Sequence, residues 1–327
     1  MRAFVTGVAG FAGSHLTERL LERGGEVVGL DQDGRTEHLA ACLTGSAADR
    51  LRLIHGDLLD TGLAAILREA RPQEVYHLAA LASVRQSLDD PVAAFRVNLL
   101  GTQALLEAIL EAELRPRILV VCSGEAYGES ARSGRALTEE TPLLPITPYA
   151  SSKAAADVLA GRYASERGLH IVRVRPFPHT GPRQTPQFVY PNLARQLAAM
   201  QAGRQPPVLE VGNLEVRRDL TDVRDTVRAY LVALEQGASG GVYNVCSGRV
   251  YALREVLDLM VKLSGLTVDV HVRPERLRPN DLEVLAGSPR ALEARTGWRA
   301  EIPLEQTLRD LLAYWRERDA EEAATSR

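Results

Sequence analysis

The sequence predicts an α/β fold: a doubly wound parallel sheet joined to a smaller mixed α/β lobe. Three observations carry the prediction. Apolar strand-like runs alternate with helix-forming runs through the first 177 residues, the pattern of parallel strands joined by crossover helices. The run Ile118-Leu119-Val120-Val121-Cys122-Ser123 is almost wholly apolar, as befits a central strand covered on both faces. The first strand enters a segment, Gly7-Val8-Ala9-Gly10-Phe11-Ala12-Gly13, that spaces its glycines G-x-x-G-x-x-G before a helical run.

The elements follow in order. Phe4-Val5-Thr6 is a short strand, and an amphipathic helix spans about Ser14 to Arg23. Glycines between them permit a tight turn and let backbone approach a pyrophosphate seated on the helix N-terminus. The strand–turn–helix context separates this motif from a simple glycine-rich turn. Residues Gly7, Gly10, Phe11, Ala12 and Gly13 are therefore expected to hold a dinucleotide. Glu26 to Asp31 is the second strand, and its terminal acid stands where adenosine ribose hydroxyls are bound. A carboxylate there repels a 2′-phosphate, so NAD is expected over NADP; the alternative is that Asp31 or Asp33 only caps a turn. A third strand, Leu51 to Asp57, brings Asp57 and Leu58 to the adenine edge. A helix from Gly62 to Ala70 leads to a fourth strand, Val75 to Ala80. The small residues after His77 (Leu78, Ala79, Ala80) leave room for a cofactor. A long helical region, about Pro91 to Glu113, carries Asn98, which is assigned a structural role beside the helix that follows the fifth strand.

That helix starts near Tyr149 and reads Tyr149-Ala150-Ser151-Ser152-Lys153. Residues four apart share a helix face, so phenol and ammonium point the same way. A neighbouring positive charge is expected to lower the tyrosine's pKa and make it a proton donor and acceptor for carbonyl/alcohol interconversion. Taken alone, the spacing also suits a Tyr and a Lys on an exposed surface. Ser123 ends the fifth strand, where ligands bind in such sheets, so Ser123, Tyr149 and Lys153 are expected to converge. Glu125, two residues beyond, should point the same way on an extended strand end.

Composition limits the function classes. The chain has 327 residues, 45% hydrophobic and 25% charged, with a formal net charge of −3, giving no electrostatic case for nucleic acid or membrane binding. The N-terminus runs directly into a strand, no apolar run approaches transmembrane length, and no repeat is present. Three scattered cysteines (Cys42, Cys122, Cys246) show no metal-ligand spacing and fit a cytoplasmic location; no metal is expected. A polar tail from Glu321 is expected to fray.

Together, Thr6-Gly7-x-x-Gly10-x-x-Gly13, His77-Leu78-Ala79-Ala80, Ser123 and Tyr149-x-x-x-Lys153 resemble the extended short-chain dehydrogenase/reductases that act on nucleotide-linked sugars. Within them, Arg175-Pro176-Phe177-Pro178-His179-Thr180-Gly181-Pro182, the run Leu209 to Asp219, Thr221-Asp222-Val223-Arg224-Asp225 and Val242 to Gly248 look most like GDP-4-keto-6-deoxy-D-mannose reductases, then GDP-mannose 4,6-dehydratases. The resemblance implies a Rossmann-type lobe over residues 1–177 with 220–248 returning to it, and a sugar-nucleotide lobe from 178–219 and 249–317 before a tail at 318–327. It implies that Ser123, Tyr149 and Lys153 are catalytic, with Tyr149 protonating the sugar O4 as hydride reaches C4. Pro176, Pro178 and His179 would flank the nicotinamide. Glu125, Val189, Asn213, Arg218 and Arg278 would meet a GDP-hexose, the arginines at its diphosphate. Arg183 stands where such reductases carry glycine, and Pro178 where asparagine is frequent. Glu125 keeps open a dehydratase in which it removes the C5 proton; a 4-epimerase and a non-catalytic dinucleotide-binding scaffold are further alternatives. Helices near Val92–Glu111 and Ser151–Ser165 would pair two subunits into a homodimer.

Overall fold

Strand β1 (Arg2–Thr6) alternates its side chains between two cores: Ala3 and Val5 face one, Phe4 the other. The same period-two division recurs in β5 (Arg117–Val121), where Leu119 joins the first core and Ile118 and Val120 the second. Both faces of these strands are buried, which is why they read as continuous apolar runs. Each fully buried Leu, Val or Phe contributes roughly 1.5–3 kcal/mol. The computed structural model describes residues 1–32, 36–40, 45–276 and 281–325.

With β2 (Glu26–Asp31), β3 (Leu51–His55), β4 (Glu74–His77), β6 (His170–Pro176) and a returning strand Val242–Val245, these form one seven-stranded sheet. Its order is β3-β2-β1-β4-β5-β6 followed by Val242–Val245, and every pairing is parallel. Helices Phe11–Glu22 and Val223–Gln236 cover the first face. Leu63–Ala70, Gly101–Glu111 and Pro148–Glu166 cover the second. Strand order reverses between β1 and β4, so the crevice for a ligand opens there, at the carboxyl ends. A separate core lies beyond β6: Leu193 and Leu197, Leu209, Val256 and Met260, and Leu308, Leu311 and Trp315 bring together three helices and a strand.

Several boundaries depart from expectation. β4 ends at His77 and β3 at His55, so Leu78–Ala80 and Asp57 stand just outside the sheet. An additional helix, Val84–Asp89, precedes the long one. The last helix runs Leu304–Thr325, past the Glu321 at which a polar tail is expected to begin. The helix Pro91–Glu111 has 21 residues and is, by length and composition, apolar enough to cross a membrane, contrary to the expectation that no run approaches that length. Part of the reason is that Leu105, Leu106 and Ile109 face the sheet while Val92, Phe95 and Leu100 are exposed. Cys122 and Cys246 are buried free thiols, and Cys42 lies outside the described residues. No cluster of metal-ligating side chains occurs among the described residues.

Candidate active site

The glycine turn is closed by contacts that leave no room for a side chain. Gly7 has φ +70°, and a Cβ there would stand 2.8 Å from the Ala79 amide nitrogen. A Cβ on Gly13 would stand 2.0 Å from the Gly7 carbonyl oxygen. Only glycine lets the loop, the helix Phe11–Glu22 and the end of β4 close this tightly. The Asp31 carboxylate accepts the Ala9 N–H at 2.9 Å, which fixes it at the end of β2 beside the turn. Asp57 accepts from Gln32 Nε2 and from the Leu59 N–H, both at 3.0 Å. Leu58 is buried in the second core, so its side chain is turned inward.

Leu78, Ala79 and Ala80 are half-buried at the crevice. Their backbone is tied down by Thr6, whose Oγ1 accepts the Ala79 N–H at 3.2 Å. Thr6 Oγ1 also meets His77 Nδ1 at 2.8 Å, and His77 Nε2 meets Thr102 Oγ1 at 2.9 Å. Thr102 spends its proton on the Asn98 carbonyl, so it accepts from Nε2–H, and Thr6 donates to Nδ1. Burial holds this imidazole neutral, with its pKa pushed down to about 3.

The chemistry-bearing helix Pro148–Glu166 starts with Thr147, whose hydroxyl accepts the Ala150 N–H, and has proline at its first position. It brings Tyr149 and Lys153 to the carboxyl end of β5. Ser123 caps a 3₁₀ turn, Gly124–Tyr127, and its Oγ accepts the Glu125 N–H at 3.1 Å. Glu125 therefore sits on a turn, not on the extended strand end expected from the sequence. It still lies close enough to raise the tyrosine's pKa by its charge, while the Ser123 hydroxyl hydrogen-bonds the phenol and lowers it. Desolvation dominates, and the Tyr149 phenol is pushed up to about 12. The expected lowering by Lys153 is corrected: that ammonium donates to the Val121 carbonyl at 2.7 Å, and burial brings its own pKa down to about 8.

Asn98 sits in a π turn, Arg96–Leu100, and is 1% exposed. Its Oδ1 accepts the Leu81 N–H at 2.8 Å, and its Nδ2 donates to Ser152 Oγ at 2.9 Å. Ser152 in turn donates to the Tyr149 carbonyl at 2.8 Å. Asn98 thus links the loop after β4 to the tyrosine, the structural role expected of it. Sequence reasoning missed Ser87, Ser152 and Thr102. One local signal was available for the Ser87 helix: Ser83 followed three residues later by Gln86 is a capping pattern, and Ser83 Oγ accepts the Gln86 N–H.

Past β6, Phe177 packs on the Ser123 turn, where a Cβ on Gly124 would approach its ring to 3.0 Å. Pro176 is buried and Pro178 half-buried. His179 donates from Nδ1 to the Phe177 carbonyl and stacks on Phe11, the centroids 5.7 Å apart. In the second lobe Arg218 donates to Asp281 Oδ1 at 2.7 Å and to the Leu282 carbonyl at 2.8 Å. Asn213 accepts the Glu215 N–H, and Val189 opens a helix, 41% exposed. Arg183 takes a left-handed φ of +72° and pairs with Glu18 at 2.9 Å. Arg278 lies outside the described residues.

Known proteins resemble this chain over nearly its whole length. The GDP-mannose 4,6 dehydratase family model matches residues 4–311. The chain is 36% identical, over 98% of its length and 99% of the relative's, to GDP-6-deoxy-D-mannose reductase of Pseudomonas aeruginosa. Among solved structures, RMD from Pseudomonas aeruginosa complexed with NADPH superposes with a TM-score of 0.81 at 34% identity, over 97% of this chain and 99% of the other. Thermus thermophilus UDP-glucose 4-epimerase in complex with NAD gives 0.85 at 35%, over the same shares. Reduction, dehydration and epimerisation thus all occur among its relatives, and the chain belongs to the GDP-mannose 4,6-dehydratase family of extended short-chain dehydrogenase/reductases.

Proposed function

We propose that this protein reduces the C4 ketone of GDP-4-keto-6-deoxy-D-mannose. The observation that carries the reading is the meeting of Tyr149 and Lys153, from one helix, with Ser123 beside the glycine crevice. A full-length likeness to a reductase supports it. A bound nicotinamide dinucleotide supplies the hydride. Tyr149 donates its phenolic proton to the sugar O4, and Ser123 hydrogen-bonds the same oxygen. Lys153, an ammonium below about pH 8, would hold the nicotinamide ribose from its place at the end of β5. The Gly7–Gly13 turn would hold the pyrophosphate, Asp31 the adenosine ribose, Asp57 and the Leu58 backbone the adenine, and Leu78–Ala80, Pro176, Pro178 and His179 the nicotinamide side. Val189, Asn213, Arg218 and Arg278 would take the GDP moiety in the second lobe. Mass spectrometry tests the reading: the keto sugar nucleotide should gain two hydrogens with NADH. An unchanged mass, with cofactor shown to bind, would sink it.

A second reading, GDP-mannose 4,6-dehydratase, rests on Glu125, whose charge reaches the Tyr149 phenol. Loss of one water from GDP-mannose in the same assay would select it.

NAD is proposed over NADP because the Asp31 carboxylate, fixed by the Ala9 N–H, stands where a 2′-phosphate would meet like charge. Comparable affinity for NADH and NADPH in a titration would contradict this. A homodimer is proposed as well. Val92 is 77% and Val158 58% exposed, and a shallow hollow of about 480 Å³ lies between Leu99, Leu143, Ala154, Val158 and Leu159. The same face of a second copy would cover it. Light scattering showing only monomer at micromolar concentration would refute that. We place the protein in the cytoplasm, without nucleic acid or membrane partners, on the grounds of its charge and its free thiols.

A further inference from the structure

We propose that Ser87 is a positioning residue for Tyr149, setting the angle at which the phenol meets the reacting oxygen. The proposal rests on the reading of Tyr149 as the proton-transfer group.

The first N–H groups of a helix have no partner inside it. At the start of Pro148–Glu166, proline removes the first donor and Thr147 takes the Ala150 N–H, which leaves the N–H of Tyr149 itself. Ser87, 62 residues earlier and 0% exposed, accepts it at 3.1 Å. The Ser87 hydroxyl has one proton, and that proton goes to the Val84 carbonyl at 2.7 Å. Its lone pair is thereby aimed at Tyr149, with no freedom to rotate away. On its other side, the Tyr149 carbonyl receives Ser152 Oγ, itself held by Asn98. Both backbone groups of the tyrosine are thus bonded to buried side chains.

Position in the chain gives this a consequence. The helix Val84–Asp89 follows within a few residues of Leu78–Ala80, the segment at the glycine crevice. One continuous stretch therefore lines the crevice and seats the tyrosine. That stretch holds the tyrosine at both backbone groups: directly, by Ser87 at its N–H, and through Leu81, Asn98 and Ser152 at its carbonyl. Displacing a reacting group by about 1 Å costs on the order of 100-fold in rate.

The test compares Ser87→Ala and Ser87→Cys with the wild type. In Ser87→Ala, kcat should fall roughly 10- to 100-fold while KM for sugar nucleotide and cofactor stays within about twofold. Ser87→Cys keeps the volume and offers only a weak acceptor, so its kcat should lie between the two. The Tyr149 amide should exchange with solvent deuterium faster in Ser87→Ala. The kcat ratio is read in whichever reaction the wild type performs, and the exchange needs no substrate, so failure of the reductase reading does not mask the result. A kcat within about twofold of wild type in soluble Ser87→Ala overturns the proposal, as does a Ser87→Cys kcat below that of Ser87→Ala, a loss confined to KM or to melting temperature, or an unchanged amide exchange.

Discussion

The crevice at β1 and β4 and the arginine site in the second lobe are built by different means. At the crevice each group is fixed by backbone or by a buried side chain. The glycine turn is set by steric contact with Ala79, Asp31 by the Ala9 N–H, and Lys153 by the Val121 carbonyl. In the second lobe Arg218, on the short strand Arg217–Asp219, is aimed by Asp281 and the Leu282 carbonyl, which lie in a stretch outside regular strand structure. On the proposed reading, chemistry sits on the rigid ends of strands and a helix, and recognition on a short strand and a loop. A reductase and an epimerase are both among the full-length relatives, so one scaffold carries more than one reaction.

Changes at the rigid end should strike turnover or cofactor binding, and changes at the arginine site should strike affinity for the sugar nucleotide. The largest effect is expected from Tyr149→Phe, which removes the proton donor: kcat should fall about 10²- to 10⁴-fold, with cofactor affinity retained in a fluorescence titration. Next is Gly13→Ala. Its methyl would meet the Gly7 carbonyl at 2.0 Å, so cofactor affinity should fall by at least tenfold, on the order of a 1.4 kcal/mol loss, and the melting temperature should drop with it. Arg218→Ala should raise the KM for the sugar nucleotide about tenfold and leave kcat within a factor of about three, if the loop serves binding alone. Equal losses in kcat and kcat/KM would place Arg218 in the chemistry and blur the comparison.

The smallest effect is one of pH. Lys153 is an ammonium below about pH 8, so a kcat that depends on its charge should hold below that pH and decline above it. Stability moves the other way. Its folded pKa lies below the 10.5 of a free lysine, so between about 8 and 10.5 the unfolded chain binds more protons and this group's contribution to stability rises with pH. At neutral pH the buried ammonium is a cost. Lys153→Met should therefore lose activity yet melt no lower than wild type by calorimetry.

The legible parts of the site were those set locally. Glycine spacing between a strand and a helix is a steric requirement within seven residues, and the structure meets it at Gly7 and Gly13. Tyr149 and Lys153 lie one helical turn apart, so their shared face follows from periodicity. The tyrosine's pKa was misread because only the neighbouring charge was weighed; burial is the larger effect, and Lys153 is engaged with a carbonyl. Glu125 was placed on an extended end because nothing in Ser123-Gly124-Glu125 announces the turn that the Ser123 hydroxyl caps. Ser87 was illegible in a different way. Its partner lies 62 residues on, and a serine in a short helix gives no sign of which distant N–H it will meet. Asn98 was placed near the helix, but its partners Leu81 and Ser152 required the fold.

The most direct measurement uses the keto sugar nucleotide with a nicotinamide cofactor dideuterated at its ring C4. Nuclear magnetic resonance then locates the label in the product. One deuterium at sugar C4 in the wild type, with turnover lost in Tyr149→Phe, is the predicted result. A sugar that acquires no deuterium, from an enzyme that removes water from GDP-mannose instead, would contradict the reductase account.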